Sequence, residues 1–353
     1  MEEKDTILPQ IEQAAAIEKD CPPGYVRIRM STGGQYGAPA VFHIRNFGVE
    51  EALALGSMAQ DDIPIKVPSL LQKVILEDDV RIEDFYESEV SEFCIHFYEA
   101  FYSHLLKDLP YTVTEEDKEW MKKEVYHGRE TEDYQEWLRG LETGKIQPKF
   151  EIDLRKVKYY TIPEKPVRHI KYKNGDFSCV FQYPKFGDTA ILQRALKEKF
   201  RTQDAQMGAL YEIYKRKQDC EARLRKGENI AIDQIPYLDE DDMKAVREYE
   251  LAKTSYIFTT MKGLQLCEFD GQDVSGKELS ERVEIAKDPR IDFSAYQTIS
   301  EHFSKLQIGP VATVTITNPI TGQLKEIEYP FRTLDLLAAI RHYKSDNASI
   351  ELI

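Results

Sequence analysis

The residue types best suited to chemistry converge on a turn near the end of the chain, Asn318-Pro-Ile-Thr-Gly322. Turns of this kind, set between two strands, often carry Cys-x-x-Cys-Gly, whose thiolates bind zinc. Asn318 and Thr321 stand at the cysteine positions here, so the turn offers no thiolate and metal binding is not expected. Pro319 fixes φ and Gly322 supplies a positive φ, which predicts a hairpin kept for its shape.

Four other constellations invite chemistry. Ser31-Thr-Gly-Gly-Gln-Tyr-Gly37 has the glycines of a phosphate-cradling loop. Such a loop runs directly into a helix and usually carries Lys-Ser/Thr, whereas Pro39 and a second strand follow here, so a flexible hairpin loop is predicted. His96 and His104 would share a face of one helix, but a zinc-protease pair needs position i+4, where Ala100 stands. The carboxylate runs Glu115-Glu-Asp117 and Asp239-Glu-Asp-Asp242 read as helix starts or solvated faces, because acid/base work needs two carboxylates in different environments across a cleft. The second run also lacks the alternating ligands and glycine of a calcium loop. Cys94, inside an aromatic helical segment, reads as a small apolar residue. No catalytic residue, cofactor or metal is expected, and the chain is not expected to be an enzyme.

The elements that must position these residues follow from composition and pattern. The chain has 353 residues, 42% apolar and 31% charged, enough for two or three cores. Its net charge of −15 argues against nucleic acid as a partner, since the basic runs at 165–173 and 215–226 are flanked by acidic residues. Five cysteines at wide spacing, without Cys-x-x-Cys, read as reduced thiols. The polar stretch 1–20 and the absence of any long apolar run predict neither a signal peptide nor a membrane span.

The predicted fold class is α+β: mixed helices and short antiparallel hairpins in two or more small modules with an N-terminal arm. Residues 1–22 form the arm, with a helix over 7–18, closed by Cys-Pro-Pro-Gly at 21–24. An α+β module over 23–148 follows, with strands at 25–30 and 40–45, an Asn46-capped helix, helices over 69–76 and 90–106, and a polar helical stretch over 114–143. A middle module over 149–285 holds strands at 150–154, 157–162, 167–172 and 177–182, then helices capped at Asp188, over 205–225 and up to 260. Residues 268–294 read as irregular. A helix-hairpin-helix module over 286–353 closes the chain.

The stripe Val90, Phe93, Phe97, Phe101 and Leu105, with Tyr98 and Tyr102 beside it, makes one helix aromatic on more than one side. Such a helix either belongs to a core or is shared with a neighbouring subunit. Tyr25, Arg27, Phe42 and Arg45 of the first hairpin, Phe93, Phe97, Tyr98, Phe101 and Tyr102 of this helix, and Asn318 and Pro319 of the late turn are the expected partner contacts.

Three segments occur in an order that resembles a known family. They are Phe42-His-Ile-Arg-Asn-Phe-Gly-Val-Glu-Glu-Ala-Leu-Ala-Leu55, Val180-Phe-Gln-Tyr-Pro-Lys-Phe-Gly-Asp-Thr-Ala-Ile-Leu192, and Phe303-Ser-Lys-Leu-Gln-Ile-Gly-Pro310 followed by the hairpin. Over roughly residues 25–345 the chain resembles the T4-like baseplate hub and hub-assembly proteins of contractile-tailed bacteriophages. The resemblance implies a structural part of the tail, at or near the baseplate hub, that docks onto other tail or baseplate proteins. It implies several copies in a symmetric assembly, in the virion after passage through the host cytoplasm. No catalytic residue is carried over, and the knuckle cysteines are replaced. Two alternatives stay open: an assembly chaperone of the hub that is absent from the mature particle, and a tail-associated cell-wall hydrolase.

Overall fold

The structure, a computed structural model, describes residues 21–59, 62–227, 230–231 and 234–342. The predicted arm over 1–20, including its helix, lies outside the described residues. Along the chain come β1 (Tyr25–Arg29), β2 (Val41–Arg45), α1 (Val49–Ser57), α2 (Ile63–Gln72), α3 (Glu87–Phe101), β3 (Leu105–Pro110), α4 (Glu115–Trp120), α5 (Glu132–Glu142) and β4 (Lys149–Asp153). The hairpin β5 (His169–Asn174) and β6 (Phe177–Gln182) leads into two long helices, α6 (Phe186–Arg225) and α7 (Glu240–Gln265). Then follow β7 (Leu266–Phe269), β8 (Gln272–Asp273), α8 (Leu279–Ile285), α9 (Phe293–Phe303), β9 (Thr313–Thr317), β10 (Leu324–Glu328) and α10 (Thr333–His342). The fold class is α+β, as expected. Among the described residues no helix is long and apolar enough to cross a membrane.

The contacts divide the chain into two compact units. The first collects the described parts of 1–58, 70–166 and 307–353. Antiparallel β1–β2 runs in register from Tyr25↔Arg45 to Arg29↔Val41. Period-two alternation sends Phe42 and Ile44 of β2 fully inside. There Phe42 stacks on Phe93 of α3 with ring centroids 6.1 Å apart, and Phe93 on Phe97 at the same separation. Antiparallel β3–β4 carries an irregularity between Leu106 and Leu109, where Asp108 has φ 60°. The β9–β10 hairpin lies by this pair, with Tyr329 edge-on to Phe150 at 6.1 Å. Thr333, at the start of α10, is buried with its hydroxyl 3.3 Å from that of Ser91 on α3.

The second unit comprises the described parts of 59–69 and 167–306. Its sheet is antiparallel in the order β5-β6-β7-β8. Phe177, Cys179 and Phe181 of β6 point to a core completed by Leu266, Ile291, Tyr296 and Ile299. Helix α6, with 40 residues, is roughly 60 Å long. It packs along α7 through Leu192, Leu196 and Phe200 near the sheet, and through a separate cluster of Tyr214, Leu238 and Val246 further out.

These units differ from the predicted modules. Residues 149–166 belong with 70–148 because β4 pairs with β3. The closing module is divided: α9 covers the sheet of the second unit through Tyr296 and Ile299, whereas β9, β10 and α10 complete the first. The helix expected to run to 106 stops at Phe101, because the chain turns there into β3. No strand forms over 157–162; a single bridge ties Tyr159 to Pro310 instead. The N-caps expected at Asn46 and Asp188 fall at Gly48 and Lys185, with Glu51 and Asp188 three positions later accepting from the cap backbone. Residues 268–294 hold β8 and α8 rather than irregular chain.

Candidate functional site

The carboxylates that could have formed a reactive site in the first unit instead brace its loops. Glu89, on the first turn of α3, accepts from the Tyr86 N–H at 3.0 Å, in the reach-back arm of a capping box. It also accepts from the Thr32 hydroxyl at 2.8 Å and from the Gly37 and Ala38 N–H groups at 3.1 and 3.0 Å. Burial pushes its pKa up, and the four donors oppose that rise. One turn along, Glu92 accepts from the backbone and hydroxyl of Ser31. The glycine-rich loop is therefore pinned to α3, not flexible. The Gly37 and Ala38 amides that a phosphate would need already serve a carboxylate of the same chain. Gly37 is packed so closely that a Cβ would lie 2.1 Å from the Asp84 carbonyl oxygen.

Asp117 plays the same part for the late hairpin. Thr114 caps α4, and Asp117 takes its backbone N–H at 2.9 Å and its hydroxyl at 2.7 Å. The Tyr111 hydroxyl donates to it at 2.7 Å and the Asn318 carboxamide at 2.6 Å, with the Lys325 ammonium 3.5 Å away. Burial alone would raise the Asp117 pKa, but the Thr114, Tyr111 and Asn318 donors outweigh it and hold the carboxyl well below its usual range. The Asn318 oxygen accepts from the Ile320 and Thr321 N–H groups at 2.8 and 3.2 Å. One carboxamide thus fixes the turn where a metal would have fixed a cysteine knuckle.

His96 and His104 do not share a helix, because α3 ends between them. His96 stacks on Tyr159 at 5.9 Å and lies 3.5 Å from Glu92. Cys94 is buried and its thiol pushed far up by desolvation, as suits an apolar filler. Asp239 caps α7 through the Asp242 N–H at 2.7 Å. Among the described residues no group of three His, Cys, Asp or Glu is placed to hold a metal.

The expected contact residues divide by burial. Phe42, Phe93, Phe97, Tyr98 and Asn318 lie inside the first unit and present no surface to a partner. Their aromatic stripe is core because β2 covers it: Phe42 fits against Phe93. Arg45 is half-buried and engaged at 2.9 Å with Glu51 of α1. Tyr25, Arg27, Phe101 and Tyr102 are half-buried, and Pro319 is exposed at the turn.

Three concave surfaces of the second unit are walled by α7. A cavity of about 600 Å³ lies beside Tyr211, Arg247 and Lys253, one of about 610 Å³ between α6, α7 and α8, and one of about 330 Å³ between α7 and the start of α9. Leu251 and Thr254 belong to the first and third, Ser255 and Thr259 to the second and third. Leu251 is 69% exposed and Phe293, across the third cavity, 65%. Lys253 lies 3.1 Å from Asp204 and 2.9 Å from the Tyr249 hydroxyl. Desolvation lowers its pKa, but those partners leave it raised overall, so it stays an ammonium group.

Sequence reasoning missed Glu89, Asp117 and the Leu251–Phe293 pair. The spacing Thr114-x-x-Asp117 signals a capping box, whereas Tyr86-x-x-Glu89 lacks the Ser or Thr cap that would announce one, and the distant partners of both carboxylates carry no local signal. No family model, no curated protein and no solved structure matches this chain.

Proposed function

We propose that this protein is a docking component of a contractile bacteriophage tail, at or near the baseplate hub, that works by fitting neighbouring tail proteins during assembly and turns over no substrate. The order of the three sequence segments supports the setting. The geometry supports the mode: α7 carries a long outward wall, with Leu251 and Phe293 left exposed beside concave surfaces. That wall is the observation on which the reading rests, because isolated apolar residues are ordinary on a surface but paired ones flanking a cavity suit a partner.

The test is a tagged copy expressed during phage infection, followed by sizing and mass spectrometry of its complexes. Co-elution with baseplate proteins is expected, and its loss in a Leu251→Asp/Phe293→Asp variant that melts like the wild type. A protein that runs free of tail proteins throughout infection, or that clears a cell-wall zymogram, overturns the reading. Peptides of the protein in purified virions distinguish a resident part from a chaperone.

A further inference from the structure

The outer edge of the second unit's sheet is β5, and among the described residues no further strand pairs with it. The direction of its backbone groups follows from the hairpin. Gly175 and Asp176 form a two-residue turn with φ +61° at Gly175, closed by the pair Asn174↔Phe177. Such a closing pair exchanges both hydrogen bonds, and hydrogen-bonded and open pairs then alternate. Lys173↔Ser178, Lys171↔Val180 and His169↔Gln182 are thus the open pairs. The Ser178 carbonyl confirms this by accepting from Asp270 on the far side, 2.8 Å away. The N–H and C=O groups of His169, Lys171 and Lys173 therefore point away from β6, toward the free edge.

The side chains of the same three residues are exposed, whereas Tyr172 on the opposite face packs against the core. Lys165 and Arg168 extend the positive run just before the strand. Across the sheet, Lys171 and Lys173 face Val180 and Ser178, not carboxylates. Glu268 lies on this face one strand further on, where it pairs with Val180. Among the described residues Lys165, Lys171 and Lys173 have no ion-pair partner, in a chain whose net charge is −15. A second copy adding to this edge would set lysine beside lysine, which disfavours self-pairing.

We infer that β5 is the acceptor edge for an extended segment of a partner protein that carries Asp or Glu at alternate positions, added antiparallel or parallel as a fifth strand. Backbone pairing to His169, Lys171 and Lys173 provides the affinity, and the lysines select acidic side chains on the exposed face. This names a partner chemistry for the docking reading above and rests on it for the biological setting. Its test uses no phage component, so the two can fail separately.

The probe is a capped heptapeptide alternating valine and glutamate, with a valine–lysine peptide as control, added to the full chain. Binding is read by fluorescence anisotropy, and the edge by amide exchange of residues 169, 171 and 173. The expected result is glutamate-peptide binding, slowed exchange at those three amides, and little binding of the lysine peptide. Lys171→Glu/Lys173→Glu should weaken the glutamate peptide about tenfold or more and favour the lysine peptide. Lys171→Pro removes one outward N–H without touching a β5–β6 hydrogen bond, and should weaken binding while the melting temperature holds. Absence of binding at about 1 mM peptide overturns the inference. So does binding without slowed exchange at the edge, which would be charge adhesion alone. Self-association of a Lys171→Thr/Lys173→Thr variant, with no peptide binding by the wild type, would assign the lysines to guarding the edge and also overturn it.

Discussion

Asp117 accepts four short hydrogen bonds, and two of its donors, Tyr111 and Asn318, are themselves buried. Removing the acceptor leaves the Tyr111 hydroxyl proton without its acceptor and the Asn318 carboxamide with only the Tyr111 oxygen, 3.0 Å away, which costs more than the net worth of a surface contact. Asp117→Ala is expected to destabilise the first unit by about 3 kcal/mol, and Asn318→Ala by about 2 kcal/mol, by urea denaturation. Because both act through one cluster, the double variant should fall short of their sum. The pH dependence has a definite sign. The folded pKa of Asp117 lies below the unfolded value, so its contribution is present above about pH 4 and fades as pH falls through the acid range. Asp117→Asn should flatten the acid limb of the stability curve, and an unchanged limb would show that the carboxylate is not what the hairpin depends on. The cluster could not be read from the sequence. Asn318 looks like an ordinary turn residue, and the acid it binds stands 201 positions earlier in a run of carboxylates that otherwise faces solvent.

At the scale of elements, α3 organises its unit from its first two turns. Its N-terminus holds the 31–37 loop through Glu89 and Glu92, and Gly309 packs against Ser88 with φ +73°. A Cβ on Gly309 would lie 2.7 Å from the Ser88 carbonyl oxygen. Gly309→Ala therefore combines a left-handed backbone with a clash and is expected to cost about 2 kcal/mol in thermal or chemical unfolding. Glu89→Ala leaves the Gly37 and Ala38 amides without their acceptor. It should open residues 31–37 to limited proteolysis, at a rate well above the wild type, before the global melt moves by a comparable amount. Protection equal to the wild type would mean that packing alone holds the loop. The hairpins β1–β2, β5–β6 and β9–β10 were legible, because each pairs period-two alternation with a turn signal of Gly or Asn. Strand β3 was not: Leu105-Leu-Lys-Asp-Leu-Pro110 continues the helical spacing of α3 and becomes a strand only because β4 arrives beside it. Helices α6 and α7 were legible as helices, but the continuity of α6 from Phe186 to Arg225 was not.

For the whole molecule, the order of segments along the chain is not the order of folding units. The sheet of the second unit, its α6–α7 pair and α9 all lie within residues 167–306, and the clusters around Phe181, Phe200 and Val246 draw on that range alone. The segment 59–69 adds the Asp62–Lys197 pair, which is largely exposed and worth little. The first unit, in contrast, is closed by residues from the far end of the chain: Gly309 against Ser88, Asn318 and Lys325 at Asp117, Thr333 at Ser91. The contacts that close it must wait for residues beyond 306, whereas the clusters of the second unit do not. A fragment of residues 167–306 is therefore expected to fold alone, giving a cooperative melt and dispersed amide resonances. A chain stopped at residue 306 should keep that melt while its 70–166 segment becomes protease-sensitive, because Asp117 loses Asn318 and Lys325, and α3 loses Gly309 and Thr333. Proteolysis with mass spectrometry of the fragment and of the shortened chain decides it: a protected 70–166 segment in the shortened chain would mean that the first unit closes without its terminal hairpin. Loss of structure in the 167–306 fragment would mean that the second unit depends on the first.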